Sequence, residues 1–205
     1  SLVGFRVLCA LSAWAGNRMF QLDFTGAYLQ RRVPTDKKIY VRAPPGYPLL
    51  VRDRNGNMVE GVYELGAYNY GLQEAGNQWQ DELGTWMVDN PDLKFRRSWV
   101  DPNIYYVDLP QGRMWVGVYV DDTLVSAPTQ EAYELFTRAL AKKYVFEDGG
   151  EATHFLGANI TRVGTHVIEV SHTGYVRRLK DTFSKHLKGH YQTPADVNLK
   201  KLVDE

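Results

Sequence analysis

Apolar residues recur at helical spacing at Val7, Leu8, Leu11 and Trp14, which predicts a helix opening the chain. Arg18 to Phe24 then alternates, with Met19, Gln21 and Asp23 on one face of a strand and Phe20, Leu22 and Phe24 on the other. Pro34 to Asn57 is rich in Pro, Gly and charge, so it reads as loops and short edge strands with a turn at Asn55-Gly56. Ala75, Trp79, Leu83, Trp86 and Met87 define a second helix from Glu74 to Val88, and both tryptophans read as core. Ile104–Val107 and Met114–Tyr119 flank Pro110-Gln111-Gly112 as a hairpin, and Thr123–Ala127 follows as a strand. Thr129 is placed to cap a helix whose stripe is Ala132, Leu135, Phe136, Ala139 and Leu140. Beyond it, Phe155–Val163 and His166–Ser171 form another hairpin around Gly164-Thr165, and Tyr175–Leu187 a basic amphipathic helix. This order predicts an α+β fold, a sheet covered by helices on one face.

Composition narrows the classes. The 205 residues are 44% hydrophobic and 23% charged, the balance of a folded globular domain. Twenty-four Lys and Arg offset twenty-four Asp and Glu, so any nucleic-acid contact must use a local patch. Cys9, the single cysteine, excludes an internal disulfide and a multi-cysteine zinc site and reads as core. The five histidines have no metal-ligand spacing. No apolar run approaches the roughly 20 residues of a membrane span, so a soluble, intracellular protein without a membrane partner is expected. The helical pattern starts without a leader, as in a segment of a longer protein.

Tyr119-Val120-Asp121-Asp122 sets two adjacent carboxylates between two apolar strand runs. A dipeptide of this kind is most often a solvated turn, and a strand-end Asp such as Asp23 most often caps a loop. Together, three such carboxylates can hold a pair of ions about 3.5–4 Å apart, the device of two-metal phosphoryl transfer.

The motifs QLDFTGAYLQ (21–30), YVRAPPGY (40–47), YGLQEAGNQW (70–79), DPNIYY (101–106), YVDD (119–122) and HFLGANI (154–160) occur in that order. This series resembles the reverse transcriptase of copia-type LTR retrotransposons, and TPAD (193–196) is similar to the segment closing that domain. The resemblance implies a right-hand polymerase palm, an antiparallel sheet backed by helices, with partial fingers. It implies one core over residues 1–192 and a tail over 193–205 leading toward a thumb or connection. The implied activity is RNA-directed DNA synthesis, with RNA or DNA template, primer and deoxynucleotide as substrates.

In this family reading Asp23 and Asp121 are the main metal ligands and Asp122 completes the cluster, for two Mg²⁺ ions with Mn²⁺ as the substitute. Tyr28 is the aromatic gate under the incoming sugar, with core packing as its compatible plain role. Phe24, Thr25 and Gly26 bring backbone N–H groups to the triphosphate, and Gln73 belongs to the substrate side. Phe155, Leu156 and Gly157 resemble the hairpin that supports the primer end. Integrase and RNase H domains of a polyprotein, or a host assembly, are the implied partners, and a cytoplasmic particle the implied location of an active element.

The chain departs from the family where Gln73, Gly76 and Asn77 replace a basic residue and a Pro-Arg pair. Loss of phosphate-neutralising charge weakens substrate binding before it affects chemistry, and Arg31, Arg32, Lys37, Lys38 and Arg42 are available nearby. In the family reading the first fingers segment would precede Ser1 and a thumb would follow Glu205, so residues 1–205 alone are expected to fall short of a processive polymerase unless those parts lie elsewhere in a longer protein. A catalytically silent palm-fold subunit, or a nucleic-acid-binding module using Arg177, Arg178, Lys180, Lys185 and Lys188, is therefore the alternative.

Overall fold

The computed structural model describes residues 2–184. The order is α1 (Leu2–Ala15), β1 (Arg18–Phe24), a 3₁₀ turn (Ala27–Gln30), β2 (Tyr40–Arg42), β3 (Leu50–Arg52), β4 (Met58–Glu60) and β5 (Val62–Glu64). Then follow α2 (Ala75–Asp89), β6 (Arg96–Arg97), β7 (Ile104–Leu109), β8 (Gly112–Tyr119), β9 (Asp122–Ala127) and α3 (Gln130–Ala141). The last described elements are β10 (Phe146–Glu151), β11 (His154–Phe155), β12 (Ala158–Gly164), β13 (Val167–Ser171) and α4 (Thr173–Phe183).

Six strands form the central sheet in the order β10-β1-β9-β8-β7-β6, every pair antiparallel. The alternation of β1 divides the interior in two. Phe20, Leu22 and Phe24 face α2 and α3, where Trp79, Leu83, Met87, Tyr133 and Phe136 are buried with them. Met19 faces the other way, into a second cluster with Phe5, Leu8, Cys9, Trp115 and Leu124. The sheet is thus covered on both faces, not one: α1 and the β11-β12-β13 sheet close the face expected to be open.

The α1 stripe differs from expectation. Phe5, Leu8, Cys9 and Ser12 turn inward, while Val7 and Trp14 are exposed. The helix is apolar nearly all round, so spacing alone leaves its rotation undetermined. Ser12 is tolerated inside because its hydroxyl donates to the Leu8 carbonyl at 2.7 Å. In α3, Thr129 caps as expected, accepting from the Ala132 N–H at 3.2 Å, but Tyr133 takes the buried place expected for Leu135.

The segment Phe146–Glu151 forms β10, a strand absent from the sequence reading. It pairs along β1, and Tyr133 pins it by donating to Asp148 at 2.5 Å. Its acidic edge discourages pairing by another chain. The expected strand over 155–163 is interrupted, since Leu156 (φ 48°) and Gly157 (φ 77°) turn the chain between β11 and β12. Asn55-Gly56 makes the expected turn, between β3 and β4. The fourth helix has no buried residue, and the continuation expected to Leu187, with the 193–205 tail, lies outside the described residues.

Candidate active site

Asp23 and Asp122 are direct partners across the β1–β9 ladder, so both occupy one face at one end of the sheet. Asp121 stands beside them in the two-residue loop joining β8 to β9, whose flanking pair is Tyr119 and Asp122. Antiparallel pairing thereby brings together residues nearly a hundred positions apart. No salt bridge reaches any of the three carboxylates among the described residues. Partial burial, then the charges of Asp23 and Asp121, push the Asp122 carboxyl above its ordinary range.

The loop is strained. Val120 has φ 57°, a left-handed conformation that a β-branched residue adopts at a cost of roughly 1–3 kcal/mol. Two contacts hold it: Trp79 Nε1 donates to the Val120 carbonyl at 3.0 Å, and the Phe24 N–H donates to the Asp121 carbonyl at 2.9 Å. Trp79 is fully buried, edge-on to Phe24 at 5.0 Å, so the core itself clamps the loop. Its N–H needs a partner when buried, and that requirement was the available signal.

Tyr70 opens the YGLQEAGNQW motif, and no spacing rule gives it a role. Its hydroxyl donates to Asp121 Oδ2 at 2.8 Å, and its ring lies 4.5 Å from that of Tyr28. Burial, then the Asp121 bond, pushes the Tyr70 hydroxyl up to about 12, and burial followed by Asp121 raises Tyr28. Asp121 Oδ1 is enclosed and has no hydrogen-bond partner. Among the described residues no three His, Cys, Asp or Glu side chains stand ready in ligand geometry. Asp121 is instead held toward Tyr70.

The remaining candidates divide. Phe24 is core, and its N–H and that of Thr25 are engaged by Asp121 and Val145. Gly26, at φ 59°, starts the turn carrying Tyr28. Gln73 is exposed just before α2. Gly76 packs beside Tyr28, whose hydroxyl lies 3.4 Å from where a Cβ would stand. Phe155 is buried against Phe5, while Leu156 and Gly157 form the turn, and Leu156 lines a crevice with Tyr119. Of the nearby cations, Arg31 pairs with Glu82 at 2.5 Å, Lys37 with Glu74, and Lys38 with Glu64 at 3.6 Å. These three are already committed within the protein. Lys185 and Lys188 lie outside the described residues.

An antiparallel sheet flanked by helices, with an acidic centre at one end, defines a mixed α/β domain of the kind the motif series implies. The chain belongs to the reverse transcriptase (RNA-dependent DNA polymerase) family, whose model matches residues 1–195. It is 31% identical over 157 residues to the putative transposon Ty5-1 protein YCL074W of Saccharomyces cerevisiae, covering 77% of this chain and 47% of that protein. It is 28% identical to the retrovirus-related Pol polyproteins from transposons RE1 and RE2 of Arabidopsis thaliana, over 71% and 75% of this chain. The chain spans about half the length of the first relative, and the matched regions make up 9% and 10% of the two polyproteins. These relatives agree with the copia-type resemblance. No helix among the described residues is long and apolar enough to cross a membrane.

Proposed function

We propose that this chain is the palm-bearing core, with partial fingers, of an RNA-directed DNA polymerase that adds deoxynucleotides to a primer. The observation that carries this reading is Asp23 facing Asp122 in register, with Asp121 in the adjoining turn. Three carboxylates gathered at one end of the sheet, with no salt bridge to them among the described residues, are an all-oxygen donor set that fits a divalent cation of the Mg²⁺ type. Asp23 and Asp121 would be its main holders and Asp122 the completing charge. When bound, such ions neutralise phosphate charge and favour in-line phosphoryl transfer.

The chain's own residues supply the rest. Tyr28 would limit space at the sugar and Gly26 would permit a close backbone approach, a reading supported by the turn that begins at Gly26 and carries Tyr28. Gln73 marks the substrate side, and the Phe155–Gly157 hairpin supports the primer end. Template, primer and nucleotide are the proposed partners, with further polyprotein domains such as integrase and RNase H. Residues 1–192 would form the core and 193–205 a tail leading toward a thumb or connection, in a soluble, intracellular protein that works in a cytoplasmic particle if the element is active.

Asp121→Asn should abolish primer extension in the intact protein and leave its fold unchanged. Millimolar Mg²⁺ should raise the wild-type melting temperature, since a ligand selective for the native state stabilises it. A wild-type melt indifferent to Mg²⁺, with no primer extension, would replace this reading by the palm-fold subunit. The specific feature favouring that second reading is the uncharged Gln73, Gly76 and Asn77.

A further inference from the structure

Tyr70 touches two parts of the site at once. Its hydroxyl donates to Asp121 Oδ2 at 2.8 Å, and its ring lies over that of Tyr28 at 4.5 Å and 38°. Asp121 Oδ1 is enclosed by protein, whereas the bond from the tyrosine hydroxyl to Oδ2 is exposed. A cation approaching Asp121 must compete with that bond.

Tyr70 is mounted on a segment whose backbone is held by local hydrogen bonds. It belongs to the connection between β5 and α2, where the hydrogen bonds of Asn69 to Leu72 are local: Tyr70 N–H to Asn69 Oδ1 at 2.8 Å, and Leu72 N–H to the Asn69 carbonyl at 3.3 Å. Gly71 follows at φ 93°, with nothing within 4 Å of where a Cβ would stand. The Tyr70 side chain is half exposed, so its release uncovers little buried surface.

We propose that Tyr70 is a latch which, in the ion-free protein, holds Asp121 through its hydroxyl and covers Tyr28 with its ring, and that cation binding releases both. This rests on the metal-binding reading given above. It makes Tyr70 a positioning residue that couples two ligands. Cation entry at Asp121 clears Tyr28 for the sugar, and nucleotide at Tyr28 frees Asp121 for the cation, each aiding the other by the same factor.

The test is Mn²⁺ binding without nucleic acid or nucleotide, read from the electron paramagnetic resonance signal of the free ion. Tyr70→Phe keeps the ring and removes the competing hydroxyl. Its half-saturating Mn²⁺ concentration should fall on the order of threefold to tenfold relative to wild type, the scale of a partly exposed bond to a carboxylate. An unchanged midpoint would show that the hydroxyl holds nothing back, and a raised one that Tyr70 helps to bind the ion; either overturns the latch. The wild-type protein provides an independent measurement, since amide hydrogen exchange over residues 69–72 should quicken when Mn²⁺ is added. Unchanged or slower exchange there also overturns it. If wild-type protein takes up no Mn²⁺, the metal-binding reading fails and the latch with it, whereas normal wild-type uptake with an unshifted Tyr70→Phe removes the latch alone.

Discussion

Asp23 faces Asp122 directly across the β1–β9 ladder, a like-charge pair where cross-strand neighbours ordinarily attract or are neutral. The Cβ atoms of such a pair stand about 4.5–5.5 Å apart, and like charges there destabilise the sheet. The neighbouring Asp121 adds a third negative charge. Asp23→Asn should therefore raise the melting temperature in chelator by roughly 1–3 °C, as expected for a mostly exposed charge contact in a chain of this size. On the metal-binding reading proposed above, millimolar Mg²⁺ should reverse the ranking, because an amide is a weaker Mg²⁺ donor than a carboxylate. A variant equal to or less stable than wild type in chelator would mean that the pair is not repulsive.

A close approach between α2 and β7 gives a second expectation. A Cβ at Gly84 would stand 2.5 Å from the hydroxyl of Tyr105, which is fully buried. Alanine ordinarily gains about 1 kcal/mol over glycine within a helix, yet overpacking here should cost roughly 1–3 kcal/mol. Gly84→Ala is therefore expected to destabilise in urea titration. The same change in a Tyr105→Phe background should be neutral or stabilising. Equal effects in both backgrounds would place the cost elsewhere.

Legibility differed among these elements for physical reasons. The limits of β1 and the cap of α3 could be read because alternation and a Thr oxygen at the N-cap are local devices. The meeting of Asp23 with Asp121 and Asp122 was legible only through the motif series the chain resembles, since each carboxylate alone reads as a turn or a loop cap. Phe146–Glu151 was not, since an edge strand reading Phe-Glu-Asp-Gly-Gly-Glu has no apolar period; its pairing with β1 and the Tyr133 bond are tertiary. The second cover of the sheet was hidden for a related reason, because an all-round apolar α1 gives no phase. Tyr70 and Trp79 reach the loop from 51 and 41 residues away, and no spacing rule links them to it.

Cys9 offers a test of how firmly α1 is seated. Burial pushes its thiol from 9.0 up to about 11, so the native state binds this proton more tightly than the unfolded chain. The contribution is fully present below the unfolded value of 9.0 and is lost as pH rises toward about 11. Iodoacetamide at about pH 9 should label Cys9 slowly, at a rate that rises with urea as unfolding does. Fast labelling in native buffer would mean that α1 leaves the sheet without global unfolding. Cys9→Ala should flatten the loss of stability between about pH 9 and 11.

The strained loop and its clamp should behave as one unit. Val120 holds φ 57° while its carbonyl accepts from Trp79 Nε1 at 3.0 Å. Glycine adopts that conformation freely, so Val120→Gly relieves roughly 1–3 kcal/mol of strain against roughly 0.5–1 kcal/mol of added unfolded-chain entropy. The net expectation is a more stable protein. Trp79→Phe removes the donor and part of a ring packed edge-on to Phe24 and Tyr144, and should cost about 2 kcal/mol or more. If the indole's purpose at this point is to hold a reluctant backbone, its removal should hurt less once the backbone is no longer reluctant. A double-mutant cycle by urea denaturation should then give a coupling of at least about 0.5 kcal/mol, with Trp79→Phe milder in the Val120→Gly background. Additive effects would mean that Trp79 serves the core alone and that the loop keeps its shape from the β8–β9 register and the Phe24 bond.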